Sequence, residues 1–302
     1  MRINGEILKK IRLELDMSQE QLSEKLFMSS RHISRIENGE KGIDIWQFVS
    51  LMQLLGYANE DFWLLYLESQ EYEIYKLFIK AKRLSRDGKI DELKEVLSSL
   101  EKNDISKYSF LAQYVLFLKI TVNDILSYKE KKDLFYKAIK MSIMNFDESK
   151  IKEYRLTYVE ISILNGIAKA YADNEERERA IDILYSIIEN IKNSKMSEED
   201  KARIFPYIMF NLSNDLGKEK RYKECIKICN EAIELCQEYN NFNTLPNLLL
   251  NIASCLRILG EESQIYKPYL VRSYHTAYAM GFFKDAQKTK KEALEKFGIE
   301  IE

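Results

Sequence analysis

Residues 17–42 read MSQEQLSEKLFMSSRHISRIENGEKG. Ser18, with Gln21 three positions on, has the form of a capping box: a hydroxyl that accepts from a first-turn amide, and a carboxamide that reaches back to the cap's own N–H. Leu22 and Leu26, one turn apart, give the helix so started a buried side. Ser29 is placed to cap a second helix, Ile33 and Ile36 supply its apolar stripe, and Asn38-Gly39 offers a left-handed stop. Two short amphipathic helices are thus joined by only a few residues. The second carries serines and basic groups from its start onward, with no charged partner beside them.

The pattern continues on both sides. Leu8, Ile11 and Leu15 form the stripe of an earlier helix, and Asp44 with Gln47 opens a later one that holds Phe48, Leu51 and Leu55 and ends at Gly56. Five short helices with a tight connection between the second and third resemble the helix-turn-helix domain of the Cro/XRE-type repressors over residues 3–57, and the segments SQEQLSEKL and ISRIENG carry the resemblance. Phe27 stands where that family often has glycine, which enters a left-handed backbone more readily. The resemblance implies that helix three enters the major groove of double-stranded DNA with its N-terminal residues toward the base edges. Ser30, Arg31 and Arg35 match the base-reading positions, with Ser29, His32 and Ser34 beside them in the same DNA-binding set. Gln19 matches the glutamine that contacts phosphate, at a helix N-terminus that itself favours an anion. Arginine reads guanine through two donors to O6 and N7.

Composition bounds the remainder. A chain of 302 residues has two domains as its prior, and only 10 glycines and 3 prolines point to a nearly all-helical protein. The net charge of −2 provides no global field to recruit nucleic acid or an acidic membrane. No apolar run approaches ~18 residues, so no membrane span is expected. The periodic, charged N-terminus does not read as a signal peptide, and a cytoplasmic location is expected. Cys225, Cys229 and Cys236 share one helical face with Ile226 and Ala232. With Cys255 they read as buried thiols in a reducing compartment, not as metal ligands. No glycine-rich phosphate loop, HExxH or serine elbow is present, so neither an enzyme nor a cofactor is expected.

Beyond Asn59 the chain is helix after helix, and three stretches have the spacing of tetratricopeptide-like hairpins. In the first, Leu164, Ile167, Ala168 and Tyr171 precede Ala180, Leu184 and Ile187; in the second, Met209, Leu212, Ser213 and Leu216 precede Cys225 and Cys229; in the third, Leu249, Ile252, Ala253 and Leu256 precede Ile265 and Tyr269. Pairs at 71–101 and 107–144 read as divergent repeats, and KDAQKTKKEALEKF in a last helix over 282–297 as a polar cap. The expected architecture is all-α: an XRE-type helix-turn-helix over 1–58, a linker helix region over 59–70, and a right-handed superhelix of tetratricopeptide-like hairpins over 71–302 for peptide binding and dimerisation.

The first helices of such hairpins line a concave face, and their non-packing residues are the candidate ligand contacts. They are Arg155, Tyr158 and Asn165 on the first; Arg203, Tyr207, Phe210, Asn211 and Asn214 on the second; Asn247, Leu250, Asn251 and Arg257 on the third. A carboxamide both donates and accepts, so a row of asparagines suits the N–H and C=O of an extended peptide. The arginines suit its terminal carboxylate.

This order of domains resembles the Gram-positive peptide-pheromone regulators of the RRNPP group, with Rgg-like and PlcR-like members nearest in layout. The resemblance implies a homodimeric transcription factor that binds a DNA operator and a short signalling peptide in quorum sensing, with RNA polymerase a further partner. Residues 1–65 hold eight Lys and Arg against ten Asp and Glu, so a lone copy should hold DNA weakly and a dimer is expected. Phe62, Trp63, Leu65, Tyr66 and Leu67, or the last helix, are the candidate dimer contacts. The competing reading is a protein-interaction adaptor whose repeats bind a folded partner.

Overall fold

The computed structural model describes residues 3–26, 28–43, 69–86 and 88–301, and the chain divides into two compact units, Met1–Lys107 and Tyr108–Glu302. All regular structure among the described residues is helical.

In the first unit, α1 is Gly5–Glu14, α2 is Gln19–Lys25 and α3 is Ser30–Glu37. Each starts on a side-chain cap. Asn4 accepts from the amides of Glu6 and Ile7 at 3.1 and 3.3 Å, and Ser29 accepts from that of His32 at 3.3 Å. The Ser18 hydroxyl accepts from the Gln21 amide at 3.0 Å while the Ser18 amide donates to Gln21 Oε1 at 2.7 Å, the reciprocal box expected from the sequence. Gly39 is left-handed, with φ +73°, just past the end of α3.

Ile7, Leu8, Ile11, Leu22, Leu26, Ile33 and Ile36 meet in one core. Leu15 does not join them. Helix α1 stops at Glu14, the chain turns through a left-handed Asp16 (φ 54°), and Leu15 is left 43% exposed. Tyr72, fully buried, fills the core instead from α4 (Ser69–Arg86), which pairs in turn with α5 (Ile90–Glu101). A Cβ on Gly5 would lie 2.2 Å from the Glu37 carbonyl oxygen, so α1 crosses the end of α3 at a distance only glycine permits. Phe27, the helix expected from Asp44 to Gly56 and the apolar residues 62–67 lie outside the described residues.

The second unit runs α6 (Ser109–Thr121), α7 (Tyr128–Lys140), α8 (Tyr158–Asp173), α9 (Arg177–Asn193), α10 (Glu198–Lys218), α11 (Tyr222–Glu238), α12 (Leu245–Ile258), α13 (Ser263–Ala279) and α14 (Phe283–Phe297). Consecutive helices pack as hairpins, and α10 also packs on both α8 and α12. The three hairpins starting at α8, α10 and α12 turn identically. Glu175, Lys220 and Gly260 are left-handed, and the next amide returns to Tyr171, Leu216 and Leu256 at 3.0, 2.9 and 3.1 Å. This is the Schellman closure of a helix end.

The expected packing residues of the first two hairpins are all at most 2% exposed. The third departs on its second helix. Ile265 is 46% exposed, while its neighbours Tyr266 and Leu270 are buried against Leu250 and Ala253. The stripe on α13 is therefore shifted by one residue from the expected register. All four cysteines are free and buried. The Cys225 thiol is pushed up to about 12 by its hydrogen bonding with Cys229 and by burial, which keeps it protonated and unreactive.

Side chains from second helices pin the backbone of first helices or of the segment leading into them. Asn190 on α9 donates to the carbonyls of Ile151 and Tyr154 at 2.8 and 2.7 Å, and Ser273 on α13 donates to that of Pro246 at 2.7 Å. Pro206 lies inside α10 and has no N–H to offer Ala202 four residues back. Asn241 Nδ2, just past α11, donates to that carbonyl at 2.7 Å.

Asp215 on α10 is 7% exposed, and burial raises its carboxyl to about 6 against the pull of Lys218 and Arg177. The folded state thus holds this proton more firmly than the unfolded chain. The favourable contribution is complete below pH ~4 and is lost as pH rises through about 6. Asp215→Asn is expected to raise stability by about 1–2 kcal/mol at pH 7.5 and by nothing at pH 4. Urea titrations at the two pH values check this, and an equal effect at both would exclude desolvation of the charge as the cause.

Candidate nucleic-acid interface and ligand groove

The sequence of α3 divides it into two sides. Ile33, Ile36 and Glu37 are buried, while Arg31 and Arg35 are exposed and Ser30, His32 and Ser34 are half-buried around them. The expected DNA-reading residues therefore share an accessible surface. Two are already engaged. Ser30 Oγ lies 3.4 Å from Ser23 Oγ, and Arg35 is paired with Glu40 at 3.2 Å, the carboxylate partner that the sequence pattern did not suggest. Glu40 follows Gly39, and the left-handed turn there brings it back alongside α3.

Beneath this surface lies a buried ionic network. Arg12 and Glu37 are each 5% exposed and form a bidentate pair, with Nε and Nη2 donating to the two carboxylate oxygens at 2.6 and 3.1 Å. A third donor, Arg12 Nη1, reaches the Met17 carbonyl at 2.7 Å. Gln19 Nε2 donates to Glu37 Oε2 at 2.7 Å, so its carboxamide is held at the start of α2 with one N–H still free for an anion. Hydrogen bonding to Glu37 raises the Arg12 pKa further above its ordinary value. Arg12 and Glu37 were missed in the sequence because charged residues read as surface. The signal was Arg12 inside the Leu8–Ile11 stripe.

In the second unit the candidate asparagines form a ladder between successive first helices. Asn211 on α10 donates to Asn165 Oδ1 on α8 at 2.8 Å. Asn251 on α12 donates to Asn214 Oδ1 and Ser213 Oγ on α10, at 2.8 and 3.0 Å. Asn165 Nδ2, Asn211 Oδ1 and Asn251 Oδ1 have no partner among the described residues. All four asparagines are half-buried, as is Asn247 nearby on α12.

N-terminal to the ladder asparagines, the first helices α8 and α10 carry aromatic side chains. The rings of Tyr207 and Phe210 are tilted to each other by 42°, with centroids 6.4 Å apart. Tyr158 feels the charge of Arg203, and burial raises its phenol pKa. Tyr114 on α6, also buried and raised, feels both Tyr158 and Arg203 and is a residue the sequence did not single out.

The remaining candidates are placed differently from expectation. Arg155 precedes α8 rather than lying on it, and Arg203 is ion-paired with Glu199 one turn back. Arg257 stands over the Phe297 ring at 5.0 Å. Leu250 is 8% exposed and belongs to the core with Tyr266 and Leu270, so it packs instead of facing a ligand. Beside the ladder, α10, α11 and α12 border an open recess of about 240 Å³, with Asn214, Lys218, Asn251 and Ser254 at its polar side and Cys225, Cys255 and the half-exposed Ile258 at its apolar side.

A helix-turn-helix reading head followed by a helical repeat domain with a carboxamide-lined face defines a class of ligand-responsive DNA-binding regulators. Residues 8–58 match the helix-turn-helix family model, and residues 78–290 match that of the RNPP family C-terminal domain. The chain belongs to the RNPP family. None of the curated proteins matches it in sequence.

Among solved structures, it is similar to PlcR of Bacillus thuringiensis in complex with the peptide PapR7 and DNA. That similarity has TM-score 0.66 and 18% identity, over 96% of this chain and 99% of that one. ComR from S. thermophilus in complex with DNA and its signalling peptide ComS gives TM-score 0.54 and 12% identity, over 96% and 98%. The SHP pheromone receptor Rgg2 of Streptococcus dysgalactiae gives 0.53 and 14%, over 96% and 98%. At these identities the likeness is one of fold.

Proposed function

We propose that the chain is a sequence-specific transcriptional regulator, acting in the cytoplasm as a homodimer, whose repeat domain binds a short signalling peptide and alters DNA binding or activation. Recognition of an operator rests with Gln19, Ser29, Ser30, Arg31, His32, Ser34 and Arg35. The observation that carries the peptide reading is the ladder. Three successive first helices present half-satisfied carboxamides, the arrangement suited to an extended backbone. The neighbours crystallised with DNA and signalling peptides support it. Two near-neutral reading heads on a two-fold operator double the phosphate contacts that one lacks. The peptide shifts the regulator only through its differential affinity for two shapes of the repeat domain.

The test uses synthetic peptides encoded by small reading frames beside the gene. Asn211→Ala is expected to weaken the bound peptide by ~1–3 kcal/mol in calorimetry, because a buried peptide group loses its partner. DNA binding without peptide should stay at the parental level in fluorescence anisotropy. Unchanged peptide affinity would move the site off this face.

A further inference from the structure

Three glycines lie within the described helices, and two have a packing reason. A Cβ on Gly5 would meet the backbone of α3 at 2.2 Å, and one on Gly166 would meet the Phe135 ring at 2.6 Å. Gly217 on α10 has none. Its backbone is not left-handed, and a Cβ there would meet only Cys225 Sγ, at an ordinary 3.8 Å. Glycine inside a helix weakens it through backbone entropy, and here it leaves space unfilled: Gly217 lines the cavity of about 240 Å³ between α10, α11 and α12.

The size of that space decides what it can hold. It is many times the ~10–15 Å³ needed to hold one water, too much for one bridging water or ion. It is also smaller than the ~300 Å³ at which pockets for whole ligands begin. A single side chain fits. The floor is apolar: the buried Cys225 thiol already donates to the Ser213 carbonyl at 3.2 Å and the buried Cys255 lies beside it, while Ile258, 53% exposed, forms an apolar rim. At the mouth Asn251 keeps an unpartnered Oδ1, and Lys218 is exposed with no ion pair among the described residues.

We propose that this cavity receives the last residue of the signalling peptide, with its apolar side chain over Gly217 and its free carboxylate on Lys218. This rests on the peptide-responsive reading above and makes it more specific. The mouth carboxamides take the backbone of the same residue. An amidated terminus loses the Lys218 interaction, and a side chain on residue 217 occupies the peptide's place.

The experiment is affinity selection by the full chain from a positional-scanning heptapeptide library, made once with free and once with amidated C-termini and read by mass spectrometry. The parent is expected to enrich free-acid peptides ending in an apolar residue at least tenfold over the amidated pool. Gly217→Leu should lose the preference at the last position while melting at or above the parental temperature, since it removes a helical glycine. Ser254→Leu fills the cavity from the opposite wall and should do the same. Lys218→Met should keep the apolar preference and lose the discrimination between acid and amide. An unchanged last-position preference in both leucine variants overturns the assignment and leaves the peptide reading standing. Enrichment of no peptide by the parent overturns that reading, and the assignment with it.

Discussion

Glu37→Ala is expected to lower the stability of the α1–α3 core by about 3–5 kcal/mol, because it leaves the Arg12 guanidinium buried with one of its three hydrogen bonds. The loss belongs to breaking the pair rather than to its net value. Replacing both partners, Arg12→Met with Glu37→Leu, is expected to be close to neutral in stability, since two desolvated charges leave together. The double variant still has a functional defect. Gln19 loses the carboxylate that holds its amide, and with it the set position for a phosphate. Amide hydrogen exchange resolved to α1–α3 measures the core without requiring the whole chain to unfold as one unit. A loss under about 1 kcal/mol in the single variant would show that Arg12 finds water or another acceptor.

Arg31→Ala is expected to reduce affinity for the cognate operator by ~1–3 kcal/mol, the value of a bidentate arginine–guanine contact. Arg35→Ala should cost less. Arg35 begins in an exposed ion pair with Glu40 and must exchange that partner for a base, whereas Arg31 has no ion pair among the described residues to give up. The order Arg31 above Arg35 is therefore part of the expectation, and Glu40→Gln should narrow the gap. Gln19→Ala should weaken all duplexes alike. Operators selected from random duplexes and titrated by anisotropy provide the measurement. Cognate affinity unchanged in both arginine variants would remove α3 from the groove.

What was legible in the sequence was what depends on neighbours a few residues away. The caps at Ser18 and Ser29, the stop at Gly39 and the stripe of Ile33 and Ile36 all act within one turn. The first-helix faces of the repeats follow from a 3.6-residue period in the same way. Contacts between distant residues were harder to see. Arg12 and Glu37 are 25 positions apart, and Tyr72 enters the core from a different hairpin. That the asparagines share one side of the first helices follows from the same period, but their bonds to each other depend on how α8, α10 and α12 stack. Leu15 and Ile265 were misplaced where a helix ended or a stripe shifted by one residue. Two of the three identical turns use Glu175 and Lys220, residues that give no hint of a left-handed backbone, while Gly260 does. Gly217 and Lys218 were missed because a cavity has no sequence pattern.

The bond from Asn241 to the Ala202 carbonyl joins two positions that are otherwise unrelated. Proline at 206 is tolerable because asparagine at 241 supplies the missing donor, and asparagine there has an acceptor because proline leaves one open. Each residue thus sets the value of the other. In a double-substitution cycle, alanine at both positions should cost less than the sum of the separate losses. Among related chains the two positions should covary, with proline at the first keeping a side-chain donor at the second.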